Sequence, residues 1–429
     1  DLRCSQSYSW SFQGDSKNTM VREVFSRDLQ GEMGHPYTRS RYYHVYINGH
    51  YWGLFQSQER SEASWGESYM GGDKENYDVL TSNWSAGRKI VPTDGDRAAF
   101  DRAAFDRLYD EVTAGFYDYE RYYRVQGLNI DGTPNSSYER LLDVENLIDF
   151  MIIEYFTGDS DGPGSRFGGI PNNTCGVFNR INPNGWKWLH HDNEHTLGAG
   201  GAGGSIENLV EPFTSVGANR DYFNPHWLHE QLIFSNVDYR IQFADHVHRH
   251  FHNDGLMTLD NCRDRILNRA YQIEMAIVAE SARWGDAKHP PWAHNKDDDW
   301  WPEINCILND TFDPWGRKTY LTPRVDVVLQ QFRDVGWYPD VIAPVFDNMG
   351  EYIIMGNPNG ASTLYYTLDG NDPRLSAAQS MPGSLVTLVT EDATKWYLVP
   401  TVANGGNLFG NTPGEFDVTY YKANITVGS

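Results

Sequence analysis

Cysteine is scarce. Cys4, Cys175, Cys262 and Cys306 stand far apart in 429 residues, and no two are spaced as Cys-x-x-Cys, which excludes zinc ribbons and thioredoxin-type redox motifs. Buried thiols, or one or two disulfides, are the expectation. Long apolar runs are missing as well: none approaches the ~18 to 20 uncharged residues of a membrane span, and residues 1–30 lack a basic-then-apolar signal pattern. Positive charge is in deficit, with 35 Lys and Arg against 58 Asp and Glu and a net charge of −23. Such a surface repels a phosphate backbone or an anionic bilayer and attracts cations. Unaided nucleic-acid or membrane-surface binding is excluded on that ground.

What is present suits a folded protein. Hydrophobic residues at 40% and aromatics at 14% are ample for packed cores, and charged residues at 22% are too few for a disordered polyelectrolyte. The length suggests two or three domains. The 14 Trp and 26 Tyr, with Asn-Xaa-Ser/Thr tripeptides as at Asn83 and Asn135, lead to the expectation of a secreted or cell-surface protein. The chain opens at Asp1-Leu2-Arg3-Cys4 without Met, and further sequence is expected upstream.

Apolar residues at helical intervals from Met20 to Leu29, followed by Gly31 and Gly34, predict a short amphipathic helix. Tyr43 to Ile47 and Tyr51 to Gln58 are aromatic and β-branched runs joined by Asn48-Gly49, the strongest short hairpin signal. Helical spacing recurs over 96–127, which holds a doubled Asp-Arg-Ala-Ala-Phe too short to be a repeat architecture. A strongly apolar helix is predicted from near Asp143 to Gly158, and two more over 225–252 and 258–284. From about 341 short β-type runs broken by Gly, Pro and Asn replace the helical period. Two domains are expected, 1–340 and 341–429, the second of β-sandwich size.

Chemistry concentrates in Gly158-Asp159-Ser160-Asp161-Gly162 and in Trp186 to Gly198, which contains His190-His191-Asp192-Asn193-Glu194-His195. Read as a strand, the second segment alternates so that Asp192 and Glu194 share a face. Paired carboxylates need a counter-charge, and a hard cation such as Mg²⁺, held by Asp192, Glu194 and Asn173, would supply it. Alternatives stay open: a transition-metal site using His190, His191 and His195, a solvated strand end, and an Asp161 that only terminates a helix. His246, His248, His250 and His252 form i,i+4 pairs on a predicted helix. With no acidic ligand near in sequence, they read as a solvated face. Asp297-Asp298-Asp299 and the Gly/Ala run 199–205 read as loops.

The order of these parts resembles the CotH family of atypical, secretory-type protein kinases. The helix with Arg22, the Ile47 to Phe55 hairpin with Glu59, Asp161-Gly162, Asn173 and Asp192-Asn193-Glu194 carry the likeness over about 15–285. It implies an α+β, kinase-like domain. It also implies that Asp161 is the catalytic base, that Asn173 and Asp192 hold metal with Glu194, and that Glu59 and Arg22 serve the nucleotide. Mg²⁺ or Mn²⁺, with Ca²⁺ as a further option, and ATP follow as cofactors, with protein hydroxyls as acceptors. The family's phosphate-covering strands and nucleotide lysine are expected upstream of Asp1. Separately, Leu364-Tyr365-Tyr366-Thr367-Leu368-Asp369-Gly370-Asn371-Asp372-Pro373-Arg374 is similar to the signature of the chitobiase/hexosaminidase C-terminal β-sandwich module, which implies an ancillary, structural or glycan-binding tail. Two further functions therefore stand beside the kinase: an inactive, cation-binding surface or matrix protein, and a carbohydrate-associated binding protein.

Overall fold

A computed structural model describes residues 1–95, 102–165, 169–199, 203–210, 216–308, 319–348, 353–360 and 364. The signature run from Tyr365 to Arg374, and most of the 341–429 sandwich expected around it, lie outside these residues. Mixed helices and small antiparallel sheets make an α+β architecture. Strand β1 (Leu2–Arg3) and the hairpin β2 (Ser40–Ile47) and β3 (His50–Gln58) form one sheet in the order β1-β3-β2. Asn48 and Gly49 both take positive φ, 51° and 80°, as a tight twist-matched hairpin turn requires. Helix α1 (Arg22–Glu32) precedes the hairpin and α2 (Ala63–Met70) follows it.

A second sheet has the order β5-β4-β6-β7, from β4 (Tyr77–Asn83), β5 (Lys89–Gly95), β6 (Cys175–Asn179) and β7 (Lys187–Leu189). Helices α3 (Ala103–Ala114) and α4 (Tyr119–Arg124) lead to α5 (Val144–Thr157). The Asp143 side chain caps α5 by accepting the Asn146 N–H at 3.1 Å, and Gly158 at φ 64° ends it. Every residue of α5 except Glu145 is buried.

The single helix expected over 225–252 is two, α6 (Pro225–Ser235) and α7 (Val237–Phe251). Asn236 breaks it: extended at φ −122°, it accepts the Tyr239 N–H at 3.0 Å and caps the second helix instead of continuing the first. Helix α8 (Leu259–Trp284) lies across β3. Its Glu280 accepts the Leu54 N–H at 2.6 Å, and the Trp284 indole donates to the Trp52 carbonyl at 2.6 Å. Between them Gly53 sits at φ 149°, where a Cβ would come within 2.9 Å of both side chains. Helices α9 (Trp301–Leu308) and α10 (Leu321–Asp334) are the last helices among the described residues. Asp297 to Asp299 belong to a capped helical turn, Lys296–Trp300, rather than to a loop. A short antiparallel pair, β8 (Val345–Asn348) and β9 (Ile353–Gly356), follows. None of the four cysteines is in a disulfide, and three are buried.

The C-terminal carbonyls of α5 point into protein, so they need internal donors. Arg324 of α10, fully buried, supplies them: Nε donates to the Phe156 carbonyl at 2.8 Å and Nη2 to that of Tyr155, while Nη1 ties in the Glu207 carbonyl, outside the helix, at 2.6 Å. The Tyr320 hydroxyl also donates to Phe156, at 2.8 Å. Arg324→Leu removes three buried donors; Phe156 keeps the Tyr320 hydroxyl and Glu207 the Gln331 amide, so the main penalty falls on the Tyr155 carbonyl. A loss of about 1 to 3 kcal/mol is expected, measured by chemical denaturation against the parent.

Candidate functional site

Two loops meet beyond the C-terminal end of α5. After Gly158 the chain turns through Asp159 to Gly162, and the Asp161 N–H donates to Asp159 Oδ1 at 3.0 Å. After β7 it turns through Asp192, in the left-handed region at φ 58°, into the short helical turn Asn193–His195. Backbone bonds tie the loops together: Leu197 N–H to the Thr157 carbonyl at 2.8 Å, and Ser160 N–H to that of His195 at 3.3 Å. The strand expected to carry Asp192 and Glu194 thus ends at Leu189. Alternation stops there because Asp192 leaves the extended region.

The two carboxylates nevertheless converge, through a residue that periodicity does not reveal. Arg3 on β1 contacts Asp192 Oδ1 with Nη2, lies 3.9 Å from Glu194 Oε2, and reaches Glu23 Oε2 on α1 at 3.5 Å. Glu23 is held in turn by Arg27 at 2.7 Å, one helical turn on, and accepts the Asp192 N–H at 3.0 Å. Burial pushes the Glu23 carboxyl up, but Arg27 and Arg3 outweigh it and hold the group down at about 2. Glu194 is pushed up to about 7, first by burial and then by Asp192, with Arg3 acting against both.

Asn173, at φ 38° just before β6, joins the loops. Its amide donates to Asp161 Oδ2 at 3.3 Å and to the Asp192 carbonyl at 3.4 Å. Ser165 donates to Asp161 Oδ1 at 3.1 Å, and His195 Nε2 stands 3.9 Å from Oδ2. Asp161, Asn173, Asp192 and Glu194 are therefore brought together. Glu59 is not: at the surface it accepts from the Arg39 N–H at 2.9 Å and from the Tyr69 hydroxyl. Arg22 is buried against Glu303, and with Arg3, Tyr8, Lys17, Glu23 and Glu194 it lines a cavity of about 10 Å³. A far larger groove of about 1410 Å³ lies elsewhere, lined among others by His35, Tyr138, Asp143 and Lys187. It holds none of the predicted site residues.

Two of the flanking histidines, His190 and His195, diverge. His190 is buried, stacks on Phe150 at 4.5 Å and puts Nδ1 3.1 Å from Glu154, and burial lowers it to about 3. His195 bonds the Tyr8 hydroxyl at 2.7 Å. Behind the loops Glu154 and Asp159 are both buried around the Asn193 amide, which donates to them at 3.4 Å and 2.5 Å. Burial raises Glu154 to about 8, and burial with Glu154 beside it drives Asp159 upward too. Two carboxyls sharing one donor in a dry interior do not both ionise at neutral pH.

A hairpin behind an acid-bearing helix, an Asp-Gly loop, an Asn bridge and an acid-x-acid loop now share one place. Residues 12–307 match the family model described as CotH kinase protein. The chain belongs to the CotH kinase family. No curated protein matches it. The family match runs from the turn before α1 through α9 and so covers Glu23, Asp161, Asn173 and Asp192, whereas Arg3 lies outside it and is identified by its contacts alone. Sequence offered a faint signal for Glu23, the i,i+4 partner Arg27, and none for Arg3, 20 residues away on another element.

Because Glu23 titrates low when folded, its stabilisation is fully present above its ordinary 4.5 and is lost as pH falls through about 2. Glu23→Gln should therefore destabilise the protein more at pH 6 than at pH 3. Denaturant midpoints of parent and variant at the two pH values measure the difference, and equal penalties would show that Arg3 and Arg27 do not act through this charge.

Proposed function

We propose that the chain is a divalent-cation-dependent protein kinase that moves the ATP γ-phosphate to a Ser, Thr or Tyr hydroxyl of a secreted or surface-exposed protein. One observation carries the reading: the Asn173 amide spans Asp161 and the Asp192 backbone, the pairing of base loop and metal loop that phosphoryl transfer needs. Membership of the CotH kinase family supports kinase-type chemistry with ATP and a divalent ion.

The donor set fits a hard cation. Asp192, Glu194 and Asn173 offer oxygens, and Glu194 Oε2 is buried without a hydrogen-bond partner. Mg²⁺ or Mn²⁺, when bound there, supplies neutralisation of the phosphate charge. Asp161 is the base: its carboxylate is fixed by Ser165 and Asn173, and it is only partly buried, so an acceptor hydroxyl can reach it. Arg3, held to Glu23 of α1, takes the part of the basic side chain that such enzymes pair with a helix carboxylate and direct at phosphate. The buried Glu154, Asp159 and Asn193 keep the Asp161 loop in place.

A second reading, an inactive cation-binding surface or matrix protein on the same fold, draws on one contact. Arg3 already neutralises Asp192, the carboxylate that a catalytic metal would use. Among the described residues no helix is long and apolar enough to cross a membrane, which agrees with either protein. A glycan-binding role would rest on the tail beyond residue 364.

The two are separated by assaying the full chain with Mn²⁺, ATP and a generic protein acceptor. Asp161→Asn keeps size and hydrogen-bonding shape but is a poor base, so transfer should fall by about 10² or more while the thermal shift with Mn²⁺ and ATP persists. Asp192→Asn should lose both. Unchanged transfer in Asp161→Asn overturns the assignment of the base, and a parent that binds Mn²⁺ and ATP yet transfers nothing is the inactive protein.

A further inference from the structure

A second group of ligating side chains stands apart from the catalytic loops, on the opposite stretch of α5. Asp149 projects from the middle of that helix. Its Oδ1 lies 2.7 Å from His246 Nδ1 and 3.2 Å from His250 Nε2, both on α7, and its Oδ2 lies 2.7 Å from His35 Nε2, in the turn after α1. The Asp149, His246 and His250 side chains are 3%, 3% and 5% exposed, and His35 is 11% exposed. The ligand atoms of Asp149, His246 and His250 all lie within 4.8 Å of one another. Among the described residues no other three His, Cys, Asp or Glu side chains meet in this way.

We propose that Asp149, His246 and His250 bind a divalent transition-metal ion, Zn²⁺ or a close analogue, with His35 orienting the carboxylate from behind. The donor set argues for that class. Two imidazole nitrogens and one carboxylate oxygen suit zinc and its neighbours, whereas Mg²⁺ and Ca²⁺ select oxygen alone. His246 and His250 are four apart on α7, so both rings leave one face of a rigid helix, and α5 brings the carboxylate from across the interface.

Spacing agrees. Ligands at the ~2.0 to 2.1 Å of zinc bonds and near-tetrahedral angles stand roughly 3.3 Å apart, so the 3.2 Å edge already fits, the 2.7 Å edge must open by about 0.6 Å, and the edge between the two imidazole nitrogens lies within 4.8 Å. Metal binding requires His246 and His250 to face the ion with a lone pair, their protons on the far ring nitrogens. The His35 N–H then donates to Asp149 Oδ2, the outer bond that typically fixes a ligating carboxylate. Three protein ligands leave a coordination position for water.

There is also a route in. His35 lines the groove of about 1410 Å³, so the carboxylate is one side chain away from solvent. The expected solvated face of four histidines is corrected accordingly. His246 and His250 turn inward to Asp149, while His248 and His252 stack on each other at 4.7 Å beside Tyr338.

The test uses the full chain, stripped with chelator and titrated with Co²⁺ and then Zn²⁺. One equivalent of Co²⁺ should produce the visible absorption of a nitrogen-bearing, low-coordinate site, which Zn²⁺ displaces, and Zn²⁺ should raise the melting temperature of the stripped protein. Asp149→Asn and His250→Gln should abolish the band, His35→Gln should weaken Co²⁺ binding about 10-fold or more, and Asp192→Asn should leave it intact. If the α5 variant does not fold, His250→Gln and the parent carry the comparison. A parent without the band, a band that survives His250→Gln, or a band lost with Asp192→Asn overturns the proposal. The last two outcomes are independent of whether the catalytic loops transfer phosphate.

Discussion

Burial of helix α5 on nearly every side is the constraint on which the rest of the structure depends. A helix so enclosed cannot send its polar groups to water, and each must find a partner inside. Asp143 at its start pairs with Lys187 of β7. Asn146 exchanges hydrogen bonds with the Trp188 backbone, accepting at 2.6 Å and donating at 3.3 Å, which docks β7 along the helix. Asp149 gathers His35, His246 and His250. Glu154 shares Asn193 with Asp159, and the final carbonyls take Arg324. Each demand of the buried helix recruits a different part of the chain, and both the loops of Asp161 and Asp192 and the histidine cluster arise where such demands are met.

Charge sets the second requirement. Glu23, Asp192 and Glu194 come together in a partly dry place on a protein of net charge −23, and like charges at short range in low dielectric repel strongly. A guanidinium answers this better than an ammonium because its planar fork presents several donors to several acceptors at once. Arg3 does so from a two-residue strand paired to Gln56 and Ser57 of β3. The hairpin, itself braced by α8 through Glu280 and Trp284, thereby fixes the position of a cation on which the acidic site relies. Strand pairing and electrostatics are the same event here: without the β1–β3 ladder nothing holds Arg3 between the carboxylates.

The carboxyls around the loops divide by environment. Glu23 meets two arginines and stays ionised, whereas at Glu154 burial outweighs the opposing His226 and the Asn193 amide and pushes the carboxyl toward its neutral form. A neutral carboxyl behind the Asp161 loop supports it without adding to the negative field in front. Gly162 permits this closeness, since a Cβ there would lie 2.5 Å from Glu154.

Local signals determined a good deal by themselves. Asn48-Gly49 can hardly be anything but a tight turn, Asp143 and Gly158 bracket α5 as cap and stop, and the order of Asp161, Asn173 and Asp192 pointed to the family, because these features act through neighbours a few residues away. The same locality misled at Asn236, whose capping side chain overrode a continuous apolar period, and at Asp192, where a left-handed residue ended an alternation that would otherwise have placed it on a strand face. Only the tertiary structure decided that Arg3 neutralises the acidic loop, that Glu59 stays at the surface with Arg39, and that Asp149 is the carboxylate His246 and His250 lacked in sequence. Those partners are separated by 189, 20 and about 100 residues. No period or motif encodes such pairings, because they are selected by which buried charge remains unpaired once the helices and sheets have packed.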